Sequence, residues 1–193
     1  MSSSPRNLTE LEKVQAGIFS ASSHKSSQSL SKQISLMAVP SKQAEDDLQD
    51  LYEKRLLGWD FNMKVCPMFG FVCNPTHVVK CVAYYGDEEN GYSCLGYAIG
   101  SINEERGSIE IDYIEKRKDA PDELRSKFLP IVVDAYASYA LYLNRKIENL
   151  QINEFAFINP VEDKLTFYQK RGYEIIKNYS GDCVAAVKYL TRN

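Results

Sequence analysis

The sequence of 193 residues lacks any run of about 18 uninterrupted apolar residues, the length that a membrane-spanning helix requires. Its first residues also lack the pattern of a basic and then an apolar segment that marks a secretory signal. These two absences predict a soluble protein with no membrane partner. The cytoplasm is therefore the expected compartment.

Cysteine is scarce and shows no paired spacing. There are five cysteines, an odd number, and none of them form a CxxC pair. This pattern argues against a disulfide framework and against a metal site. We therefore expect reduced thiols in the core and no bound metal, as suits a cytoplasmic protein. The five are Cys66, Cys73, Cys81, Cys94 and Cys183.

An excess of basic residues is also missing, since 23 Lys and Arg stand against 26 Asp and Glu. The first 43 residues contain five basic and two acidic residues, so the remainder of the chain is distinctly acidic. An acidic domain releases few counterions from a phosphate backbone and binds nucleic acid poorly. We therefore expect no nucleic-acid partner, and amines or basic peptides are better candidates as substrates.

The N-terminal segment has few acidic and few apolar residues. Twelve serines fall within residues 1–41, and such a composition does not bury enough surface to offset chain entropy. We predict a disordered Ser-rich tail over residues 1–40, with at most a transient helical turn or two at 8–19. Leaders of this kind also resemble the export signals of bacterial type III effectors and some transit peptides, so secretion into a host cell is an alternative.

The rest of the chain has the hydrophobic periodicity of one α/β domain over residues 41–193. The pattern predicts a helix from Ser41, three strands at 77–85, 94–102 and 108–115, and a long helix after Pro121. A strand at 150–158, a helix after Pro160 and two last strands follow. Polar turns join the first three strands, which therefore form an antiparallel meander. Pro130 either kinks the long helix or lies in its first turn.

The C-terminal segment 159–173 reads NPVEDKLTFYQKRGY. Asn159 and Pro160 are typical of a helix start, and Gly172 is typical of the left-handed residue that ends a helix. Tyr168 is then expected about two and a half turns into that helix.

This segment and the order of the predicted elements resemble the GNAT (Gcn5-related N-acetyltransferase) superfamily. The resemblance implies an α/β (α+β) fold, in which helices flank a mixed, mostly antiparallel central sheet with splayed strands 4 and 5. It also implies acetyl transfer from acetyl-CoA, as co-substrate, to an amine of a protein or small molecule. The pantetheine arm of acetyl-CoA is expected to lie between the splayed strands like an added strand.

The resemblance implies that Tyr168 protonates the leaving thiolate of CoA. The alternative is a core tyrosine whose hydroxyl binds a backbone carbonyl. Glu110 and Asp112, on the third strand of the meander, lie where many members of the superfamily carry a general base, and Glu154 on the next strand is a further candidate. Their alternative is a solvated strand face.

The loop that binds the pyrophosphate in the superfamily is Arg/Gln-x-x-Gly-x-Gly/Ala, and residues 115–125 of this chain contain no glycine. Basic side chains replace the amide cradle by direct charge, or else they only solvate a surface turn. The expected cofactor contacts are Ile114, Lys116, Arg117, Lys118, Arg125 and Asn159. The altered loop leaves three alternatives: an N-acetyltransferase, a transferase for another acyl donor, and a catalytically degenerate binding protein.

Overall fold

The computed structural model describes residues 8–66 and 77–190 as one seven-stranded sheet with helices on both faces. The strands are β1 (Gln33–Met37), β2 (Val78–Asp87), β3 (Gly91–Asn103), β4 (Ser108–Lys116), β5 (Glu154–Ile158), β6 (Glu174–Ile176) and β7 (Ala185–Tyr189). The helices are α1 (Glu10–Ser27), α2 (Lys42–Glu53), α3 (Phe61–Lys64), α4 (Phe128–Lys146) and α5 (Leu165–Gln169). The strand order is β1-β2-β3-β4-β5-β7-β6, and β4 and β5 are the only parallel neighbours among these described strands. The predicted mixed, mostly antiparallel sheet is confirmed.

The prediction of a disordered tail is wrong for residues 8–40, and residues 1–7 lie outside the described part. Helix α1 begins with a capping box, in which Thr9 Oγ1 accepts from the Glu12 amide (3.2 Å) and the Glu12 carboxylate accepts from the Thr9 amide (2.9 Å). The helix buries Phe19 completely. The low apolar content of the segment as a whole did not reveal this helix, because only one narrow stripe of a helix needs to be buried. That stripe is Gln15, Phe19, Ser22 and Ser23.

Strand β1 also lies in the predicted tail, and it adds a fourth strand to the meander. Ile34 lies opposite Tyr85 in the antiparallel pair with β2, and both Ile34 and Leu36 are buried. The hydroxyl of Ser27, in the last turn of α1, accepts from the Ile34 amide at 2.9 Å. Helix α1 and the edge strand are therefore joined by a hydrogen bond as well as by apolar packing.

A β-bulge in β4 decides which side chains face the core. Ile111 lies opposite Gly100 and Tyr113 lies opposite Ile99, which leaves Asp112 as the extra residue. A bulge reverses the alternation of side chains beyond it. Ile111 therefore packs in the core under α4, whereas Tyr113 packs on the opposite face, beneath α2. A regular strand would instead place Tyr113 on the same face as Ile111.

Strands β4 and β5 pair over only four residues each. The parallel pairs run from Ser108 with Glu154 to Ile111 with Phe157, while β4 continues to Lys116 along β3. The two strands therefore diverge at their carboxyl ends. The expected splay of these strands is confirmed.

The long helix α4 covers the face of the sheet that α1 also covers. It begins at Phe128, so Pro130 lies in its first turn, where a missing amide donor costs no helical hydrogen bond. This confirms the second of the two alternatives for Pro130. The buried residues of α4 form a continuous stripe: Phe128, Ile131, Val132, Ala135, Tyr136, Tyr139, Ala140 and Leu143.

The predicted helix after Asn159 is shorter than the sequence indicates. A 3₁₀ turn (Glu162–Lys164) precedes α5, and Asn159 has a left-handed φ of 44° instead of capping a helix. The chain turns there because the Asn159 amide donates to the Val184 carbonyl at 2.7 Å and so belongs to the sheet. Gly172 has a φ of 79°, which confirms its predicted left-handed conformation.

Four of the five cysteines lie in the described part of the chain, and all four are free thiols. Cys81 and Cys94 are buried, whereas Cys66 and Cys183 are only half-buried, and Cys73 lies outside the described residues. Within the described ranges, no helix is long and apolar enough to cross a membrane, and no group of three or more His, Cys, Asp or Glu could hold a metal ion.

Candidate active site

A cleft opens where β4 and β5 diverge. Its volume is about 170 Å³, and it extends from the last paired residues, Ile111 and Phe157, towards the turn between α2 and α3. Five of the lining residues belong to β4, six to the segment from β5 to α5, one to β3 and one to the turn between α2 and α3. The lining residues are Trp59, Tyr97, Ile111, Asp112, Tyr113, Ile114, Glu115, Phe157, Ile158, Asn159, Pro160, Val161 and Tyr168.

Tyr168 is held in the cleft by an aromatic cluster. Its ring centroid lies 4.7 Å from that of Phe157, 5.3 Å from that of Phe167 and 5.7 Å from that of Tyr173. The residue is 8% exposed, yet no hydrogen bond to its hydroxyl is made by any residue in the described ranges. This hydroxyl does not bind a backbone carbonyl there, as the core-tyrosine alternative requires. Burial raises the pKa of Tyr168, against the opposing charge of Arg171, so the hydroxyl stays protonated at neutral pH.

The bulge in β4 brings Asp112 into the wall of the cleft. Asp112 is half-buried there, opposite the segment that carries Tyr168. Burial is the main cause that raises the pKa of the Cys183 thiol, and the negative charges of Glu110 and Asp112 contribute to it, which places both carboxylates near this thiol. Of the three carboxylates predicted from the sequence, Asp112 is the one that lines the cleft.

Glu110 lies in a buried polar network instead of on a solvated face. It is 1% exposed, and its Oε1 accepts from the Asn103 amide group (2.9 Å), the Ser108 hydroxyl (2.9 Å) and the Tyr179 hydroxyl (3.0 Å). The guanidinium of Arg106 lies 3.7 Å from the Tyr179 ring. These contacts hold the loop between β6 and β7 against β4. The solvated-face alternative for Glu110 is wrong because the side chain is buried. Its role as a general base stays a prediction, for a carboxylate that does not line the cleft.

Glu154 is placed at the wrong end of β5 for a catalytic role. It pairs with Ser108, where β4 and β5 are still joined, whereas the cleft begins at Phe157 three residues later. Its carboxylate forms an ion pair with Arg106 at 3.4 Å. The prediction of Glu154 as a base is not supported, because three strand residues span roughly 10 Å.

Two of the residues predicted to contact the cofactor line the cleft, on opposite walls. Ile114 lies on β4 beyond the bulge, and Asn159 follows β5 directly. The side-chain oxygen of Asn159 accepts from the Val184 amide at 3.1 Å. This bond fixes Asn159 to β7 and leaves only its NH₂ group to face a ligand.

The basic residues after β4 are largely engaged by the protein itself. Arg117 forms a bidentate pair with Asp119 (2.6 and 2.7 Å) and also donates to the Cys94 carbonyl, while Lys118 donates to the Arg55 carbonyl at 2.9 Å. Arg125 is 84% exposed and lies 3.4 Å from Asp122. Burial, and then the charge of Arg125, lower the pKa of Lys116. None of Lys116, Arg117, Lys118 and Arg125 lines the cleft.

A mixed, mostly antiparallel sheet in which β4 and β5 diverge is the arrangement that the sequence resemblance implies, and it is the one observed. The fold is of the GNAT type. No family model matches the sequence, and no curated protein is significantly similar to it.

Among solved structures, the chain is similar to several acetyltransferases. Ard1 from Thermoplasma volcanium matches at 14% identity and a TM-score of 0.48, over 82% of this chain and 99% of that chain. Arabidopsis thaliana Naa50, in complex with the bisubstrate analogue CoA-Ac-MVNAL, matches at 21% identity and a TM-score of 0.42, over 80% and 97% of the two chains. A spermidine N-acetyltransferase SpeG chimera from Vibrio cholerae and hSSAT matches at 13% identity and 0.44, over 81% and 94%. At these identities the similarity concerns the fold alone, and no activity or substrate of this chain follows from it.

Most backbone amides of the loop after β4, residues 117–125, already donate hydrogen bonds within the protein. The amides of Arg117 and Lys118 donate to the carbonyls of Leu95 (2.8 Å) and Leu56 (3.1 Å). The amides of Ala120, Leu124 and Arg125 donate to carbonyls within the loop. The loop would therefore have to change its conformation before several free amides could hold a phosphate. It departs from the superfamily's phosphate loop in backbone structure as well as in sequence.

Two cleft residues were missed by reasoning from sequence. The carboxylate of Glu115, at the end of β4, accepts from the amides of Gly58 and Trp59 and so fixes the turn after α2 over the cleft. Trp59 lies beyond α2, which ends at Glu53, and it is 54% exposed. The signal that pointed to it was the single tryptophan of the chain directly after Gly58.

A larger groove, of about 850 Å³, lies between α1, β1 and α2. Its wall is rich in serine hydroxyls, and its carboxylate, Asp47, accepts a hydrogen bond from Tyr84 at 2.6 Å. None of the site residues predicted from the sequence lies there. The smaller cleft is therefore the candidate active site, since it combines Tyr168 with Asp112.

Proposed function

We propose that this chain transfers an acetyl group from acetyl-CoA to an amine of a small molecule or a protein. The observation that carries the proposal is Tyr168, which lines a cleft between two diverging strands and whose hydroxyl makes no hydrogen bond within the described ranges. A buried phenol in this position is a proton donor for a leaving thiolate. The acidic surplus of the chain beyond residue 43 favours the approach of cationic amines.

The cleft fits the pantetheine part of acetyl-CoA. Beyond Ile111, no strand among the described residues pairs with β4 on its β5 side, so an extended amide chain has a strand edge to which it can bind. The side chains of Ile114 and Val161 offer apolar contacts on the two walls. For the phosphates, the exposed guanidinium of Arg125 is the candidate, because the loop amides are largely occupied. When bound, acetyl-CoA supplies the activated acyl group.

Two residues of this chain would move protons in the transfer. Asp112 is proposed to accept the proton that the amine loses when its nitrogen attacks the thioester carbonyl carbon. Tyr168 is proposed to donate its proton to the sulfur as the carbon–sulfur bond breaks. The products are an amide and a free thiol, and Tyr168 regains its proton from solvent. General-acid assistance of this kind contributes roughly a hundred- to ten-thousand-fold to the rate.

Tyr168→Phe tests the role of the hydroxyl, because it keeps the ring in the aromatic cluster and removes only the proton. We expect acetyl transfer to a panel of polyamines and basic peptides to fall at least tenfold. The affinity for acetyl-CoA, measured by calorimetry, and the melting temperature should remain nearly unchanged.

Tyr173→Phe is the matched control. Tyr173 belongs to the same aromatic cluster, and burial raises its pKa to about 12, but it does not line the cleft. Full transfer by Tyr168→Phe, or an equal loss in both variants, would contradict the proposed role of the Tyr168 hydroxyl.

A second candidate function is the binding of a partner without catalysis. The observation that favours it is the loop after β4, whose amides and arginine are satisfied by the protein itself. Calorimetry on the full chain separates the two functions, since a binding protein of this kind should show no acetyl-CoA binding at millimolar concentration. Binding of acetyl-CoA without transfer to any amine would favour a transferase for another acceptor.

A further inference from the structure

A lysine contacts two aromatic rings that line the cleft. The ammonium nitrogen of Lys64 lies 4.1 Å from the centroid of the Trp59 ring and 4.3 Å from that of the Tyr113 ring. Both rings line the cleft, and the lysine itself is only 7% exposed. Lysine is among the residues that are least often buried to this extent. Its position at the candidate active site therefore calls for an explanation.

The two rings are held rigidly around this ammonium. The turn that carries Trp59 is fixed to β4, because the Glu115 carboxylate accepts from the Trp59 amide at 3.1 Å. Helix α3 follows at once, with Asp60 Oδ1 accepting from the Asn62 and Met63 amides. Tyr113 lies directly after the bulge at Asp112. A short, capped helix and a bulged strand thus bring a primary amine against the ring of Tyr113, the residue that follows the proposed base in β4.

We infer that Lys64 occupies the acceptor site as an internal substrate and that the chain acetylates Lys64 in cis. This inference rests on the acetyl transfer proposed above. The aromatic pair stabilises the ammonium by cation–π contacts, and it would stabilise the ammonium of an external amine in the same way. Lys64 is therefore both the first acceptor and a competitor of external amines.

The reaction balances without any further reagent. The protonated Lys64 first loses one proton to solvent, and its neutral nitrogen forms a bond to the thioester carbonyl carbon. The carbon–sulfur bond breaks, the nitrogen loses a second proton to Asp112, and Tyr168 protonates the sulfur. Burial lowers the pKa of Lys64, which increases the fraction of neutral amine. The exposed Lys42, whose pKa is raised mainly by a hydrogen bond to Asp46, offers a contrasting lysine.

The direct test is mass spectrometry of the full chain incubated with acetyl-CoA. We expect acetylation of Lys64 at least tenfold faster than of the exposed Lys42 and Lys54, with a first-order rate that does not depend on protein concentration. The modification should be lost in Tyr168→Phe. Lys64→Arg keeps a cation between the rings but cannot be acetylated in this way, and Lys54→Arg is the matched control at an exposed position.

A second readout needs no acetyl-CoA. Trp59 is the only tryptophan of the chain, so its fluorescence reports on the ammonium above its ring. Between pH 7 and 11 we expect an emission change in the unmodified chain with a midpoint below 10.5, the ordinary pKa of lysine. Lys64→Arg should lack this change, and subtracting its titration removes the contribution of ionising tyrosines.

The outcomes separate the inference from the proposed function. If external amines are acetylated while Lys64 stays unmodified, the inference is overturned and the proposed function stands. If neither is acetylated, both fall. A rate proportional to protein concentration, or equal labelling of Lys64 in Tyr168→Phe, would show transfer between copies or uncatalysed chemistry and would also overturn acetylation in cis. A fluorescence midpoint at or above 10.5 would contradict the statement that burial lowers the pKa of Lys64.

Discussion

Replacing Phe19 by alanine tests whether α1 is part of the folded domain. The Phe19 side chain is fully buried, and its ring centroid lies 5.5 Å from that of Tyr136 on α4. It belongs to the same apolar cluster as Ile34 and Leu36 of β1. A disordered tail would leave this side chain in solvent, so the substitution distinguishes the two descriptions of the N-terminal segment.

The expected loss follows from the burial. Phenylalanine-to-alanine substitutions in a core cost about 3–5 kcal/mol, because transfer free energy is lost and a cavity remains. For a domain of this size, each kcal/mol lowers the melting temperature by roughly 2–4 °C. Phe19→Ala should therefore lower the melting temperature by about 6–20 °C and shift the midpoint of urea unfolding in the same direction.

Leu11→Ala is the matched control on the same helix. Leu11 is 43% exposed, so its replacement should change the free energy of unfolding by no more than about 0.5 kcal/mol. Thermal and urea unfolding of the three proteins, followed by circular dichroism, give the comparison. A melting temperature of Phe19→Ala equal to that of Leu11→Ala would refute the packing of α1 against α4.

Three further substitutions test local features of the fold. Hydrogen bonds from the hydroxyls of Ser31 and Tyr85 are the main causes that lower the pKa of Glu123 from 4.5 to about 2, so their stabilisation is present above pH 4.5 and is lost as the pH falls towards 2. Glu123→Gln should therefore cost about 1 kcal/mol at pH 7, after allowance for solvent screening, and the difference from the unmodified chain should vanish near pH 2 in thermal unfolding. Gly17→Ala should raise the free energy of unfolding by about 0.5–1 kcal/mol in a urea titration, because nothing lies within 4 Å of a Cβ in this helix interior. Gly172→Ala should lower the free energy of unfolding by about 1–2 kcal/mol, because the φ of 79° at Gly172 is strained for any residue with a Cβ. A change of the opposite sign in either glycine variant would contradict the backbone conformation described here.

Local patterns in the sequence predicted most of the elements. The Ser41 cap is present, since its hydroxyl accepts from the Ala44 amide at 3.2 Å. The β2–β3 hairpin and the left-handed Gly172 are also confirmed. These features depend on side chains within a few residues of one another, so the sequence contains the complete information for them. The mixed, mostly antiparallel sheet and the splay of strands 4 and 5, which the resemblance implied, are likewise observed.

The candidate site was predicted only in part, because its residues meet through non-local contacts. Tyr168, Asp112, Ile114 and Asn159 line one cleft, whereas Glu110 and Glu154 do not. The expectation for the carboxylates assumed a regular strand, and a bulge in β4 removed that regularity. The bulge is visible only in the pairing with β3, where Ile99 and Gly100 face Tyr113 and Ile111. The pattern of residues within β4 does not indicate the bulge.

The sequence by itself determined the helical and extended segments, the turns, and the presence of a tyrosine after the fifth strand, because each follows from propensities and periodicities of neighbouring residues. Tertiary structure alone decided three other features. It folded the Ser-rich segment, since Phe19 and Ile34 gain their burial from α4 and the sheet. It engaged the loop amides with the carbonyls of Leu56 and Leu95. It also placed Lys64 between two rings from different elements, because contacts between distant parts of the chain are set by packing and not by sequence separation.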